Sequence, residues 1–82
     1  MDYANLYVNL LVKHGTEDKP VMDYFERHHI VPLSLGGTDN AENLVYLSGR
    51  AHFIAHWLLF KIHRNAEMAR AFYGMCDTYR RP

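Results

Sequence analysis

Six histidines lie among the 82 residues, and four of them fall in an order that can do chemistry. His28 and His29 adjoin in the stretch Glu26-Arg27-His28-His29-Ile30-Val31-Pro32; Asn43 follows, and then His52 and His56. A four-residue separation on a helix puts His52 and His56 on one face, within reach of a single metal ion. Neighbouring strand residues point to opposite sides, so His28 and His29 cannot duplicate each other. One of them can face the helix and complete a three-histidine set, while the other faces the side where water and substrate would sit. Three neutral imidazoles leave a coordination position open, as a catalytic ion requires. The remaining imidazole, with an ordinary pKa of about 6.5, suits the removal of a proton from water near neutral pH. One ion with a general base beside it is equipment for hydrolysing a phosphodiester.

Each part has a plainer reading. Two histidines at i and i+4 are more often incidental than ligands, and the pair alone carries little. The zinc-protease pattern His-Glu-x-x-His is excluded because Phe53 takes the place of the glutamate. The single cysteine, Cys76, excludes a Cys2His2 finger and any internal disulfide, and its apolar helical setting marks it as a small core residue. Asn43, at the start of a second strand, can hydrogen-bond an imidazole through its amide or backbone carbonyl, or simply close a turn. His14 and His63 lie outside the pattern.

The elements that must hold these residues can be read from periodicity. Tyr3, Leu6, Tyr7, Leu10 and Leu11 recur at helical spacing from Asp2 or Tyr3 to about His14, with Gly15 as a stop. Residues 15–20 form a polar linker ending at Pro20. Tyr24 to about Val31 is rich in β-favouring residues and is expected to be extended, with Pro32 ending its ladder. Leu33–Asn40 holds Gly36-Gly37 and Thr38-Asp39-Asn40, a loop whose glycines allow it to pass close to other backbone. Asn43–Leu47 is a second short strand. Ser48 suits the N-cap of a helix over Gly49–His63, with Phe53, Ile54, Trp57, Leu58 and Ile62 as its apolar stripe. Asn65 can cap a last helix over Ala66–Tyr79 that turns Met68, Ala69, Phe72, Met75 and Cys76 inward. The fold expected is α+β: a helix, a two-stranded antiparallel hairpin, a helix packed on it, and a C-terminal helix. A lone hairpin is unstable in water, so it must lean on the helix that follows.

One small domain over residues 1–82 is the expectation, near the size at which a hydrophobic core alone gives a thin margin. A bound ion tying two elements together would add stability. Formal net charge is zero, but residues 1–49 carry three Lys/Arg against seven Asp/Glu, and residues 50–82 carry six against two. That asymmetry suits a basic C-terminal face meeting phosphate, or two ordinary solvated surfaces. The start of the chain lacks a signal peptide's pattern, and Trp57–Phe60 is far too short to cross a bilayer. A soluble cytoplasmic protein is the expectation. The abrupt ending Tyr79-Arg80-Arg81-Pro82 leaves a continuation of the chain open.

The run ERHHIVPLSLGGTDNAENLVYLSGRAHFIAHWLL joins a His-His-Ile-x-Pro strand, a Gly-Gly loop, an Asn-Leu-Val strand and a His-x-x-x-His helix. In this combination it resembles the HNH endonucleases of the ββα-metal (His-Me finger) class, above all the compact phage and intron-encoded homing type, with the colicin DNase site more distant. The resemblance covers a core of about 24–63. It implies that His28, His52 and His56 are metal ligands, that His29 is the general base, and that Asn43 holds the base and the loop in place. Glu26 is similar to a supporting acidic residue that orients a ligand. It also implies DNA as substrate and one divalent ion, Mg²⁺ or Mn²⁺, with Zn²⁺ or Ni²⁺ favoured by an imidazole-rich shell. The ion would contact a non-bridging phosphate oxygen and the leaving 3′-oxygen.

Arg50, Lys61 and Arg64, on or beside the metal-bearing helix, are candidates for phosphate contacts, and Arg70, Arg80 and Arg81 could extend that surface. Phe53, Trp57, Phe60, Phe72 and Tyr73 match apolar stripes and read as core rather than base-stacking groups. No added DNA-reading module is evident, so selectivity would be modest or supplied by a homodimer or a larger phage protein partner. One site cuts one strand, which makes nicking the simpler expectation. Two other readings stand beside this one: a non-catalytic, metal-stabilised nucleic-acid-binding domain of the same fold, and a small helical interaction module with incidental histidines.

Overall fold

The computed structural model describes residues 1–21 and 24–80, with side chains through residue 76. Its elements run α1 (Tyr3–His14), β1 (Glu26–His29), β2 (Leu44–Leu47), α2 (Gly49–His63) and α3 (Ala66–Arg80). Two short 3-10 turns, Leu33–Leu35 and Ala41–Asn43, lie between the strands. This is the α+β arrangement expected, including the order of helices around the hairpin.

The helix ends follow from local chemistry. Asp2 accepts a hydrogen bond from the Asn5 N–H at 3.0 Å, and Ser48 Oγ accepts one from Ala51 N–H at 3.1 Å. Asn65 Oδ1 likewise takes the Met68 N–H at 2.9 Å. Each satisfies one of the donors that a helix start leaves without a partner. Lys13 and His14 at the end of α1, and Lys61 and His63 at the end of α2, sit where the helix dipole favours positive charge.

β1 and β2 are antiparallel, pairing Glu26 with Leu47, Arg27 with Tyr46, His28 with Val45 and His29 with Leu44. The strand is shorter than the expected Tyr24–Val31. Past His29, Ile30 N–H bonds the Asn43 carbonyl, but Val31 N–H is taken by the Asn43 side chain, which replaces the ladder partner. Asn43 itself lies in a 3-10 turn, one residue before β2. The polar stretch after α1 is more than a linker: Thr16 and Tyr46 exchange backbone hydrogen bonds at 3.1 and 2.8 Å. That bridge covers the free edge of β2, which would otherwise offer unpaired groups.

α2 is the spine, touching α1, α3 and both strands. Its buried positions are Ala51, Ala55, Leu58 and Leu59, joined in the core by Tyr7, Leu47 and Met68. Of the expected stripe, Leu58 lies in this core and Ile54 and Ile62 pack against it, but the buried set also takes in Ala51 and Ala55 and leaves out Trp57. Small alanines face the elements that come closest, while Trp57 stays partly exposed and meets Tyr3 edge-on. Phe53 and Phe60 pack on Phe72, and Tyr73 is largely exposed. On α1 only Tyr7 is fully buried, and Leu6 is exposed.

The loop between the strands depends on Gly36 and Gly37. Gly36 has a φ of 92°, a left-handed conformation that costs other residues about 1–2 kcal/mol. A Cβ on Gly37 would sit 1.8 Å from the Val31 carbonyl oxygen, so backbone would have to move. Gly37→Ala should therefore lower unfolding free energy by about 1–3 kcal/mol in a denaturant titration, more than Gly36→Ala does. Wild-type stability in Gly37→Ala would contradict the close approach.

Candidate metal centre and active site

β1 delivers His28 to the interior and α2 delivers His52 and His56 one turn apart, so three rings from two elements meet. One ligand nitrogen from each lies within 4.8 Å of the other two. Ring centroids are 5.0 Å apart for His28 and His52, 5.2 Å for His28 and His56, and 4.8 Å for His52 and His56. His28 is 1% exposed.

The hydrogen bonds sort the ring nitrogens. His52 Nδ1 lies 2.9 Å from Glu26 Oε1, so its Nε2 is the nitrogen turned toward His56. His56 Nε2 approaches His52 Nε2 at 3.1 Å. His28 Nε2 lies 2.7 Å from the Tyr7 hydroxyl. His28 Nδ1 and His56 Nδ1 are buried with no hydrogen-bond partner. Burial, reinforced by the neighbouring imidazoles, pushes the His28 pKa down to about 3 and that of His56 down to about 4. Both rings are therefore neutral near pH 7, the form that donates a lone pair to a metal. Bare buried nitrogens, a clustered all-imidazole donor set and a carboxylate behind one ring are compatible with a bound metal ion. Glu26 thus stands where a ligand-orienting carboxylate was expected, with Tyr24 donating to its other oxygen at 2.6 Å.

His29, on the alternate face of β1, keeps 29% of its side chain exposed and lies 2.7 Å through Nε2 from Asp39 Oδ1. Asp39 was not singled out in the sequence. Its Thr-Asp-Asn turn context signals a loop, and only the fold of that loop brings it to the ring.

Asn43 is buried, and its work is with backbone. Its Oδ1 accepts from Val31 N–H at 2.8 Å, and its Nδ2 donates to the carbonyls of Val31 at 3.0 Å and Thr38 at 2.8 Å. Its own carbonyl accepts from Ile30 N–H. The expected bond from Asn43 to an imidazole is not formed; the amide pins the loop instead, and reaches His29 only through the backbone beside it.

A cavity of about 430 Å³ opens over these groups, lined by His29, His52, His56, Arg27, Arg70 and Met68, among others. Arg27 and Arg70 are thus the cations beside the candidate centre. The three expected on or near α2 stand elsewhere: Arg50 by Leu10 and Ser48, Lys61 over the Trp57 ring at 5.6 Å, and Arg64 just past the helix end. Arg81 and the side chain of Arg80 lie outside the described residues. Among the described residues, no helix is long and apolar enough to cross a membrane.

A family model described as HNH endonuclease matches residues 13–53, which include β1, the loop, β2 and the start of α2. Three proteins of Enterobacteria phage T4 are similar over longer spans. Probable mobile endonuclease B is 48% identical over 80 residues, covering 93% of this chain and 30% of that protein. Probable mobile endonuclease D is 48% identical over 69 residues, covering 80% and 27%. Probable mobile endonuclease E is 43% identical over 77 residues, covering 94% and 54%. The chain thus spans about a quarter to a half of the length of these relatives. No solved structure matches it. With the hairpin, the helix and the three converging imidazoles in place, the matched family is the conclusion: this chain belongs to the HNH endonucleases.

Proposed function

We propose that this chain hydrolyses DNA phosphodiester bonds with His29 as general base and one divalent ion held by His28, His52 and His56. The observation that carries the reading is the meeting of three imidazoles at one point with a fourth, accessible imidazole opening on the same cavity. An all-imidazole set favours Zn²⁺ or Ni²⁺ over Mg²⁺. When bound, the ion would supply Lewis-acid stabilisation of the charge that grows on the phosphate and the leaving oxygen.

The chain's own residues do the rest. Asp39 accepts the Nε2 proton of His29, which leaves Nδ1 with the lone pair that takes a proton from water. The carboxylate then steadies the resulting imidazolium. Glu26 holds His52 at Nδ1 and keeps its Nε2 turned to the centre. Arg27 and Arg70 meet the phosphates beside the scissile one, and Arg50, Lys61 and Arg64 reach only flanking phosphates.

Plasmid nicking across Mg²⁺, Mn²⁺, Ni²⁺ and Zn²⁺, with a chelator control, tests this reading. His29→Ala should lose about 10²–10⁴-fold in rate while keeping metal affinity, and His56→Ala should lose both. Asp39→Asn should cut more slowly with unchanged metal affinity; a rate at or above wild type would mean the carboxylate only covers Nε2 in the absence of DNA. Metal binding without any cleavage would favour the non-catalytic binding domain. Replacing Arg27 and Arg70 by alanine should weaken DNA binding and flatten its salt dependence by about one unit of slope each. Replacing Arg50 and Arg64 should do less, and the reverse ranking would move the DNA to another face.

Protons and the ion compete for the same nitrogens. The unfolded pKa of each imidazole is about 6.5, and the folded values for His28 and His56 are about 3 and about 4. Between these limits the unfolded chain binds protons that the folded chain does not. Stability is therefore full above about pH 6.5 and falls as the pH drops toward 4, by up to about 1.4 kcal/mol per unit for each ring. Thermal melts of chelator-treated protein should show a lower Tm at about pH 5 than at about pH 7.5. Equal melting temperatures would argue against two buried neutral rings.

A further inference from the structure

Resting on the ligand set just proposed, we infer that Tyr7 is a positioning residue for the centre: its hydroxyl selects which nitrogen of His28 faces the ion. Tyr7 stands on α1, upstream of the residues matched by the family model, and is the one buried residue of that helix. Its oxygen lies 2.6 Å from the carbonyl oxygen of Ile30 and 2.7 Å from His28 Nε2. A hydroxyl has one proton. The Ile30 carbonyl can only accept, so the proton must lie between the two oxygens; otherwise two bare lone-pair atoms would be pressed together at 2.6 Å. The Tyr7 oxygen is then free only to accept, and the partner that donates to it is His28 Nε2–H.

For an imidazole with a single ring proton, this arrangement leaves Nδ1 as the lone-pair nitrogen. Nδ1 is the buried His28 nitrogen that has no partner. The ring is thus delivered in one tautomer and one orientation before any ion arrives. Glu26 does the corresponding work for His52, so each of these two rings is held from behind, one by a carboxylate and one by a phenol. The phenol suits the deeper position, because a second carboxylate there would have to be buried with the ring. Carbonyl, hydroxyl and imidazole also tie α1 to the end of β1 across 21 residues of chain, which couples the N-terminal helix to the site.

Two measurements test the inference. In metal-free protein at neutral pH, long-range ¹H–¹⁵N spectra should show His28 protonated at Nε2 and bare at Nδ1. In Tyr7→Phe, which keeps the ring and its packing, the proton should redistribute toward Nδ1. Affinity for Zn²⁺ alone should fall about 10–100-fold by competition titration, with the helical circular dichroism retained. A purely structural role would lower the melting temperature without moving the proton. Finding His28 protonated at Nδ1 in the wild type, or an unchanged tautomer and Zn²⁺ affinity in Tyr7→Phe, would overturn the inference. The wild-type tautomer decides it even if His28, His52 and His56 prove to hold no ion, an outcome that would instead remove the ligand set.

Discussion

A buried polar atom with no hydrogen-bond partner costs about 1–3 kcal/mol, and among the described residues two such atoms fall in one cluster, at His28 Nδ1 and His56 Nδ1. In a chain of 82 residues, whose core can supply only a thin margin, that is a large expense. Everything near the cluster is arranged to sustain it. Tyr7, bonded to the Ile30 carbonyl, meets His28 from one side, and Glu26 meets His52 from another. Leu47, Ala55, Leu58 and Leu59 exclude water from the core beside them. The three rings could hold a metal ion, and an ion bound only by the folded state would return free energy to it.

Helix α2 makes the arrangement possible by serving two functions on different faces. Ala51, Ala55, Leu58 and Leu59 bind it to the rest of the fold, and His52 and His56 project toward β1. The alanines matter as much as the larger residues, since small side chains let neighbouring elements close in. The hairpin contributes through its alternation. With His28 opposite Val45 and His29 opposite Leu44, adjacent residues are sent to opposite sides, one sealed and one open to the cavity. Asn43 then fastens the loop at Thr38 to Val31, just past β1, by three side-chain hydrogen bonds, all to backbone. Asn43 thus acts as a strut for the chain that surrounds His29.

Much of this was legible beforehand, for identifiable reasons. The helix bounds of α2 and the caps at Ser48 and Asn65 are local matters, settled by side chains that bond backbone three residues away. The glycine pair announced a close backbone approach, and Gly37 makes one. The extents of the strands were overestimated, because the Asn43 side chain takes over a ladder position that composition alone would assign to strand. The apolar stripe expected on α2 was only partly right: Leu58, Ile54 and Ile62 meet the core, and Trp57 does not. With neighbours on several sides, that helix has no single apolar face for a periodicity reading to find.

What the sequence by itself determined are the relations set by the 3.6- and 2-residue repeats: that His52 and His56 share a face, and that His28 and His29 diverge. Tertiary structure alone decided which groups stand behind those rings. Tyr7 reaches His28 across 21 residues, Glu26 reaches His52 across 26, and Asp39 reaches His29 across 10. It also decided that Arg27 and Arg70, rather than Arg50, Lys61 and Arg64, border the cavity. Periodicity carries information over a turn or two of chain. Partners farther apart are chosen by how helices and hairpin pack, and that packing depends on the whole set of core side chains at once.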